Sequence, residues 1–440
     1  MIRLTEMPRI FPLLPLLALA ALGQEGLPDP VFNRIPFEEW LKAGDEARIR
    51  FTMRAVPPRL TVHQRMAVML GVEVDGSEFV KRAKSGRIVV FLEVRDGDNR
   101  VYRTHRALTF EESKKPTDLA AVHFEQYTFM TPGHYLVAAA VYDVESKEHS
   151  LKQMKLHVPE IAHDPLPGAW RDIPAVEFVP VSEPPERWYL PEITSRLNLP
   201  VKTERPVRIE VVVNESPTEI AMRRTGRVST RNMGNLIPAL KVISQMTVQN
   251  GPVNVTLLDL ERRKVSFAQE EVKTLDWERL KAALVENDPN KIDVHALENH
   301  EQNAQFFVSE IRKRLESTET NGDVPLGLEA EPKKVLIVLS GPMAFPKGQD
   351  LRPIEAAPEP GSKVFYIRYN PPRPGVSPAM ATHGGRGMGP PIPMPARGPS
   401  TEDSLARTLK PLAPRVFDVT NPMEFRSALA GIISEISGLK

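Results

Sequence analysis

The chain has 440 residues, of which 41% are hydrophobic and 26% are charged, a composition typical of a globular protein with two or three domains. The 57 basic and 56 acidic residues leave a net charge of +1, so the overall field favours neither nucleic acid nor an anionic membrane as a partner. The chain has no cysteine, which excludes disulfides, thiolate zinc sites and thiol nucleophiles.

The first residues have the pattern of a secretory signal. Arg3 and Arg9 provide a basic start, residues 10–22 are apolar, and small residues follow at the end of this run. Two prolines inside the run disfavour a buried helix, and the run is too short to span a bilayer core of about 30 Å. We therefore predict a cleaved signal at residues 1–23, a periplasmic or secreted mature protein, and no integral membrane segment in the mature chain.

Short β-strands dominate the next region, from about residue 33 to 160. Residues 48–54 alternate between polar and apolar, and residues 87–94 form a stronger apolar run. Residues 134–142 and 150–158 have the pattern of a hairpin around a polar turn. Strands at this spacing predict an antiparallel, immunoglobulin-like β-sandwich.

The sequence Pro132-Gly133-His134-Tyr135 has two interpretations of equal weight. It resembles the corner before a late strand of immunoglobulin-like domains, where a tyrosine hydroxyl bonds back to the main chain. Alternatively, Tyr135 is simply an aromatic residue of the strand.

Two proline-rich stretches interrupt the periodic pattern. Residues 161–204 lack periodicity and are predicted to form a linker draped over the surface. About half of the residues between 370 and 400 are proline or glycine, which predicts a disordered insertion at the edge of a sheet. An ordinary loop insertion is favoured there over a proline-rich contact segment.

From residue 205 the pattern changes to alternating strands and helices. The predicted strands are 207–213, 253–259, 264–268, 334–340, 363–368 and 415–419. The predicted helices are 232–247, 277–285, 303–315 and 421–436, the last with Asn421 as N-cap and Pro422 in its first turn. This alternation predicts an open, doubly wound, Rossmann-like α/β domain over residues 205–440.

Polar residues follow the two strands that are expected in the middle of this sheet. Asn214, Ser216 and Thr218 come after the first of these strands, and Ser340 and Gly341 end the second. In an open parallel sheet, ligands bind at the carboxyl ends of the central strands. We call these five residues the strand-end rim and predict that they lie side by side.

The order of the elements and the residues of the rim resemble a von Willebrand factor type A domain over residues 205–440. With a signal and a β-rich region ahead of it, most of the mature chain resembles the VWFA-related domain family of acidobacteria. The resemblance implies a metal-ion-dependent adhesion site with the motif Asp-x-Ser-x-Ser, a threonine from a later loop, and an aspartate after the central strand. Such a site holds a hard divalent cation through oxygen ligands.

The rim departs from that motif at both carboxylates, which predicts a degenerate site. Asn214 stands where the family has the leading aspartate, and Ser340 replaces the aspartate after the central strand. Ser216 and Thr218 match the two hydroxyls, and Gly341 matches the glycine that follows. The later loop offers no convincing threonine.

Hydroxyl and amide oxygens alone compete poorly with water for Mg²⁺, so we predict no metal and no other cofactor. The rim side chains are instead expected to bond to the backbone of a strand-to-helix turn. The alternative is a genuine metal-dependent adhesion domain in which Ser216 and Thr218 hold Mg²⁺ together with water.

A hydrolase is the third interpretation, built on the polar cluster of Asp293, His295, Glu298, His300 and Glu301. The two histidines are five residues apart, which suits neither one helical face nor the His-Glu-x-x-His zinc motif. A solvated helix start explains the cluster better. The favoured function is therefore a non-catalytic protein-interaction or adhesion module, which binds a protein partner through the strand-end rim and the insertion.

Overall fold

The computed structural model describes residues 31–81, 87–109, 121–180, 195–216, 233–286, 301–316, 332–343, 354, 362–369 and 403–439. The signal predicted at 1–23 and the insertion predicted at about 370–400 lie outside the described residues. Within the described part of the chain, no helix has the length and apolar character needed to cross a membrane.

The N-terminal half consists of antiparallel strands in two sheets. The strands are β1 (Glu46–Ala47), β2 (Phe51–Ala55), β3 (Arg59–Leu60), β4 (Met66–Asp75), β5 (Arg87–Arg95), β6 (Val101–Thr109), β7 (Ala121–Met130), β8 (Gly133–Asp143), β9 (His149–Val158) and β10 (Val176–Phe178). Helix α1 (Phe37–Ala43) precedes them and helix α2 (Gly76–Lys81) follows β4. The first sheet has the order β1-β9-β8-β5-β6, and the second has the order β10-β7-β4-β2 with β3 also paired to β4.

Side chains from both sheets form one apolar core between them. Val68 and Val72 of β4 are buried together with Val90 and Val94 of β5. Residues two apart in a strand point to the same face, so each strand supplies alternate side chains to this core. Each such side chain stabilises the fold by about 1.5–3 kcal/mol through its removal from water.

The outer face of the first sheet carries a second, smaller core. Helix α1 places Phe37 and Trp40 over this face, where they cluster with Phe91 and Ala140. Phe32 adds an edge-to-face contact with Phe91 at a ring-centroid distance of 5.0 Å. Strand β5 is therefore buried on both faces, which explains why its sequence is a nearly continuous apolar run.

The corner between β7 and β8 is held by Tyr135. Its hydroxyl donates a hydrogen bond to the carbonyl of Thr131 at 2.8 Å, and its ring is buried in the sandwich core. The bond back to the main chain that the corner interpretation requires is therefore present. Gly133 has a φ of +156° at this corner, in the region of backbone conformation that favours glycine.

The C-terminal half contains a mainly parallel sheet with the order β15-β14-β12-β16-β17-β18. Its strands are β12 (Val207–Asn214), β14 (Val253–Asp259), β15 (Lys264–Gln269), β16 (Lys333–Ser340), β17 (Lys363–Tyr369) and β18 (Arg415–Val419), and a separate two-stranded sheet joins β11 (Leu199–Val201) to β13 (Met246–Val248). The helices are α3 (Met233–Ile243), α4 (Trp277–Glu286), α5 (Glu301–Glu316), α6 (Ser404–Leu409) and α7 (Pro422–Ser437). The pair β14 and β15 is an antiparallel hairpin, while the other described pairs of the larger sheet are parallel.

Helices cover both faces of the larger sheet. On one face, Val211 of β12 belongs to a core that includes Leu240 of α3 and Leu429 of α7. On the other face, Val212 belongs to a core that includes Phe307 of α5. Successive side chains of β12 thus enter different cores, which accounts for the continuous apolar sequence of a central strand.

Two segments differ from their predicted structure. Residues 161–204 are not simply a linker, because β10 pairs with β7 of the sandwich and β11 pairs with β13. The helix predicted over 232–247 ends at Ile243, and the apolar Met246 belongs to β13 instead. In each case a short strand is stabilised by a partner that is distant in sequence, so no local periodicity indicates the strand.

The first turn of α7 forms as predicted and also joins the two halves of the chain. The Asn421 side chain caps the helix by accepting from the backbone N–H groups of residues 423 and 424, each at 3.0 Å. Buried Arg426 forms hydrogen bonds of 2.5 and 2.7 Å with the carboxylate of Asp164 and lies 4.5 Å from the ring of Trp170. The Trp170 indole N–H donates to the carbonyl of Gln64 in the sandwich at 2.7 Å.

Candidate functional site

The strand-end rim lies where β12 separates from its two neighbours. Strands β12 and β16 pair in parallel with Val213 opposite Leu339, so Asn214 and Ser340 occupy neighbouring strand ends. Strand β14 lies on the other side of β12. The next strand of the sheet along the chain, β14, is thus added on one side of β12, and the later strand β16 is added on the other side.

Asn214 and Ser340 are in direct contact. The Asn214 amide Nδ2 donates to Ser340 Oγ at 2.9 Å, and Ser340 Oγ donates to the carbonyl of Gly341 at 2.7 Å. Asn214 also accepts, because the backbone N–H of Ser216 donates to its Oδ1 at 3.0 Å. Asn214 is 2% exposed and Ser340 is 0% exposed, so these bonds are shielded from water.

Ser216 connects β12 to the end of β14. Its Oγ accepts the backbone N–H of Leu260 at 2.6 Å, and the residue is buried. Asn214 joins β12 to β16 and Ser216 joins β12 to β14, so two side chains hold three strand ends together. Thr218, the remaining predicted hydroxyl, lies outside the described residues.

This donor set does not fit a hard divalent cation. Asn214 Oδ1 and Ser216 Oγ, the oxygens that would face an ion, each accept a backbone N–H. The only carboxylate next to them in sequence, Glu215, instead hydrogen-bonds to Ser266 of β15. Within the described parts of the chain, no group of three or more His, Asp or Glu side chains is placed to hold a metal ion.

Two acidic residues on the β14 side of this edge have perturbed pKa values. Burial, reinforced by the charge of Asp259, raises the pKa of Glu215 to about 7, although Ser266 opposes the shift. Burial and the same aspartate also raise the pKa of Glu261 to about 7. The Asp259 carboxylate itself accepts the backbone N–H groups of Glu261 and Arg262, each at 3.0 Å.

The other side of the edge is organised by Asp403, which caps helix α6. Tyr366 donates to its carboxylate at 3.0 Å, and Arg368 approaches the same carboxylate at 3.4 Å. Arg368 also forms an ion pair of 2.5 Å with Asp418. Neither Asp259 nor Asp403 is among the site residues predicted from the sequence. The first could have been found as the polar end of a third parallel strand, but the second is separated from its partners by a long insertion.

The polar cluster on which the hydrolase interpretation rests has no described side chain. Asp293, His295, Glu298 and His300 lie outside the described residues, and Glu301 is the first residue of α5 with its side chain also outside the description.

Comparisons with known proteins give no family for this chain. No protein-family model matches it, and no curated protein matches it. A structural-genomics target solved by X-ray crystallography at the Northeast Structural Genomics Consortium matches with 14% sequence identity and a TM-score of 0.17, over 26% of this chain and 89% of the other. A TM-score of this size supports no statement about fold or function.

Proposed function

We propose that this protein is an exported, non-catalytic interaction or adhesion module whose α/β half is a von Willebrand type A-like domain with a degenerate metal site. The proposal rests on the hydrogen-bonded network of Asn214, Ser216 and Ser340. It satisfies the side chains internally where the related motif would direct oxygens at an ion.

The position of the network supports a binding role. The chain crosses from β12 to β14 on one side and to β16 on the other, so the strand ends at Asn214 and Ser340 flank a topological switch point. Such points form crevices where open α/β sheets bind ligands. Ligand contact without an ion then depends on protein groups around the crevice.

The burial of the rim refines how a partner would be bound. Asn214, Ser216 and Ser340 are all buried, so they hold the strand ends in place rather than contact a partner themselves. We propose that a partner binds at this edge of the sheet, around the strand ends. A protein is the proposed partner, and the periplasm or cell exterior is the proposed location.

A metal titration tests the proposal on the mature chain. Addition of Mg²⁺ or Mn²⁺ at roughly millimolar concentration should leave the melting temperature unchanged, and EDTA should do the same. The double variant Asn214→Asp/Ser340→Asp restores both carboxylates and should gain a measurable Mn²⁺ affinity by calorimetry. Asn198→Asp, at an exposed amide outside the rim, is the matched control and should gain none.

Each outcome separates the alternatives. A clear stabilisation of the unmodified chain by Mg²⁺ would establish the metal-dependent adhesion domain instead. Failure of the correctly folded double variant to bind Mn²⁺ would show that the strand ends do not form the related site.

A further inference from the structure

Two exposed histidines face each other on the sandwich, far along the chain from the strand-end rim. His134 of β8 and His157 of β9 are direct cross-strand partners in the first sheet. Their imidazole rings stack with a centroid distance of 4.5 Å and an interplanar angle of 23°. Both residues are exposed, and among the described residues neither ring makes a hydrogen bond or an ion pair.

The backbone beneath the pair is rigidly held. His134 lies between Gly133, at the β7–β8 corner, and Tyr135, whose hydroxyl is fixed by the carbonyl of Thr131 at 2.8 Å. His157 lies between two buried core residues of β9. The backbone positions of the two histidines are therefore fixed before any ligand arrives, which lowers the entropic cost of bringing two ligands to one ion.

Imidazole nitrogen is the protein ligand that suits Zn²⁺ and Cu²⁺. In a tetrahedral zinc site with Zn–N distances of about 2.0–2.1 Å, two ligating nitrogens lie about 3.3 Å apart. Cross-strand partners have Cβ atoms about 4.5–5.5 Å apart, so rotations about the side-chain bonds that take the rings out of their stack can direct one in-plane lone pair of each ring at a shared ion.

The charges around the pair are compatible with a cation. Leu136, the next outward residue of β8, lies opposite Lys155 of β9 and Arg95 of β5. Arg95 is neutralised by ion pairs with Glu93 at 2.6 Å and Glu38 at 3.0 Å. Among the described residues of this part of the face, Lys155 is then the positive charge that has no ion pair, and it lies one outward position away from the histidines.

We propose that His134 and His157 form a two-imidazole site for a borderline divalent transition metal, Zn²⁺ or Cu²⁺, with water in the remaining coordination positions. The site is independent of the proposed binding function, because its ligands are nitrogens on the sandwich and the rim offers only oxygens. Mg²⁺, which prefers oxygen ligands, does not report on it.

Calorimetry with ZnCl₂ and CuCl₂ on the mature, tag-free chain at pH 7.5 tests the proposal. One ion per chain should bind, with Cu²⁺ tighter than Zn²⁺ in accordance with the general order of divalent affinities. His157→Phe keeps an aromatic ring for stacking but removes the nitrogen, and it should weaken binding about tenfold or more while leaving the melting temperature of the metal-free protein nearly unchanged. His134→Phe should behave in the same way.

Two further measurements keep the result specific. His123→Ala removes an exposed histidine of the other sheet that faces Glu73, and it should leave the affinity unchanged. Binding should weaken at pH 5.5, because protons compete with the metal for imidazole. The proposal is overturned if the unmodified chain binds neither ion, or if His123→Ala weakens binding as much as His157→Phe does.

Discussion

Replacing Asp164 by alanine removes the carboxylate that faces the buried guanidinium of Arg426. Arg426 is 0% exposed and Asp164 14% exposed, and the two groups share hydrogen bonds of 2.5 and 2.7 Å. Burial opposes ionisation of the aspartate, but the bonds from Arg426 and the backbone N–H of Leu166 outweigh it and hold the pKa of Asp164 below its ordinary value. The substitution therefore leaves the positive charge of Arg426 buried without its carboxylate partner.

The expected loss follows from what remains around the guanidinium. Removing one partner of a buried ion pair costs about 3–5 kcal/mol, because the other charge is left uncompensated. Arg426 keeps a hydrogen bond of 2.9 Å to the carbonyl of Leu166 and its contact with the Trp170 ring. We therefore expect a loss near the lower end of that range, about 3 kcal/mol.

Urea unfolding of the mature chain, followed by circular dichroism and tryptophan fluorescence, measures the effect. Because Asp164 precedes the short strand that joins the sandwich while Arg426 belongs to the last helix, Asp164→Ala should also separate the unfolding of the two halves into distinct transitions. Asp98→Ala is the matched control, since Asp98 pairs with Arg100 at 3.5 Å while 75% exposed, and such surface pairs contribute at most about 1 kcal/mol.

Arg426→Met separates charge from packing. An apolar side chain of similar length leaves Asp164 partly hydrated, so this variant should lose less stability than Asp164→Ala. If Asp164→Ala lies within about 1 kcal/mol of the unmodified protein, as a surface pair would, the idea that this pair locks α7 to the rest of the chain is wrong.

Three further predictions follow from buried groups. Burial lowers the pKa of His63 to about 4, so the contribution of its neutral form to the free energy of unfolding, up to about 3 kcal/mol, is present above pH 6.5 and is lost as the pH falls toward 4. His63→Phe should remove that part of the pH dependence of the urea midpoint. The pH dependence from Glu215 has the opposite sign, because its raised pKa favours the neutral form in the folded protein: its contribution, again up to about 3 kcal/mol, is present below pH 4.5 and is lost as the pH rises to about 7. Glu215→Gln should therefore stabilise the protein at pH 8, and an unchanged urea midpoint there would contradict the burial of this carboxyl group. At Gly251, with a φ of +142°, an added Cβ would lie 1.7 Å from the carbonyl oxygen of Val207, so Gly251→Ala should cost more than about 3 kcal/mol in unfolding experiments, whereas Gly97→Ala, with open space around its Cβ, should change stability by less than about 0.5 kcal/mol.

Local sequence determined the elements with a strong periodic or capping signal. The apolar run that ends at Val213 is β12, and the run that ends at Leu339 is β16. The last helix begins at its predicted cap, because Asn421 has the side-chain oxygen and Pro422 the fixed φ that a helix start requires. The residue types of the rim could likewise be read from the sequence, including the absence of both carboxylates.

The use of the rim residues was decided by tertiary structure. The sequence shows that Asn214 and Ser340 are polar, but only the parallel pairing of β12 with β16 brings the amide within 2.9 Å of the hydroxyl. Ser216 accepts the backbone N–H of Leu260 only because β14 ends beside it, one residue before Leu260. Which atom an oxygen faces depends on strands that are 44 or 126 positions away in the chain.

The junction between the two halves was beyond local reasoning for the same cause. A three-residue strand such as Val176–Phe178 has too few positions to show a period, so only its pairing with β7 reveals it. The bond between Arg426 and Asp164 spans 262 positions, and neither residue differs locally from any other surface arginine or aspartate. Propensity and periodicity act over a few residues, whereas burial and charge pairing depend on which distant segments the folded chain brings together.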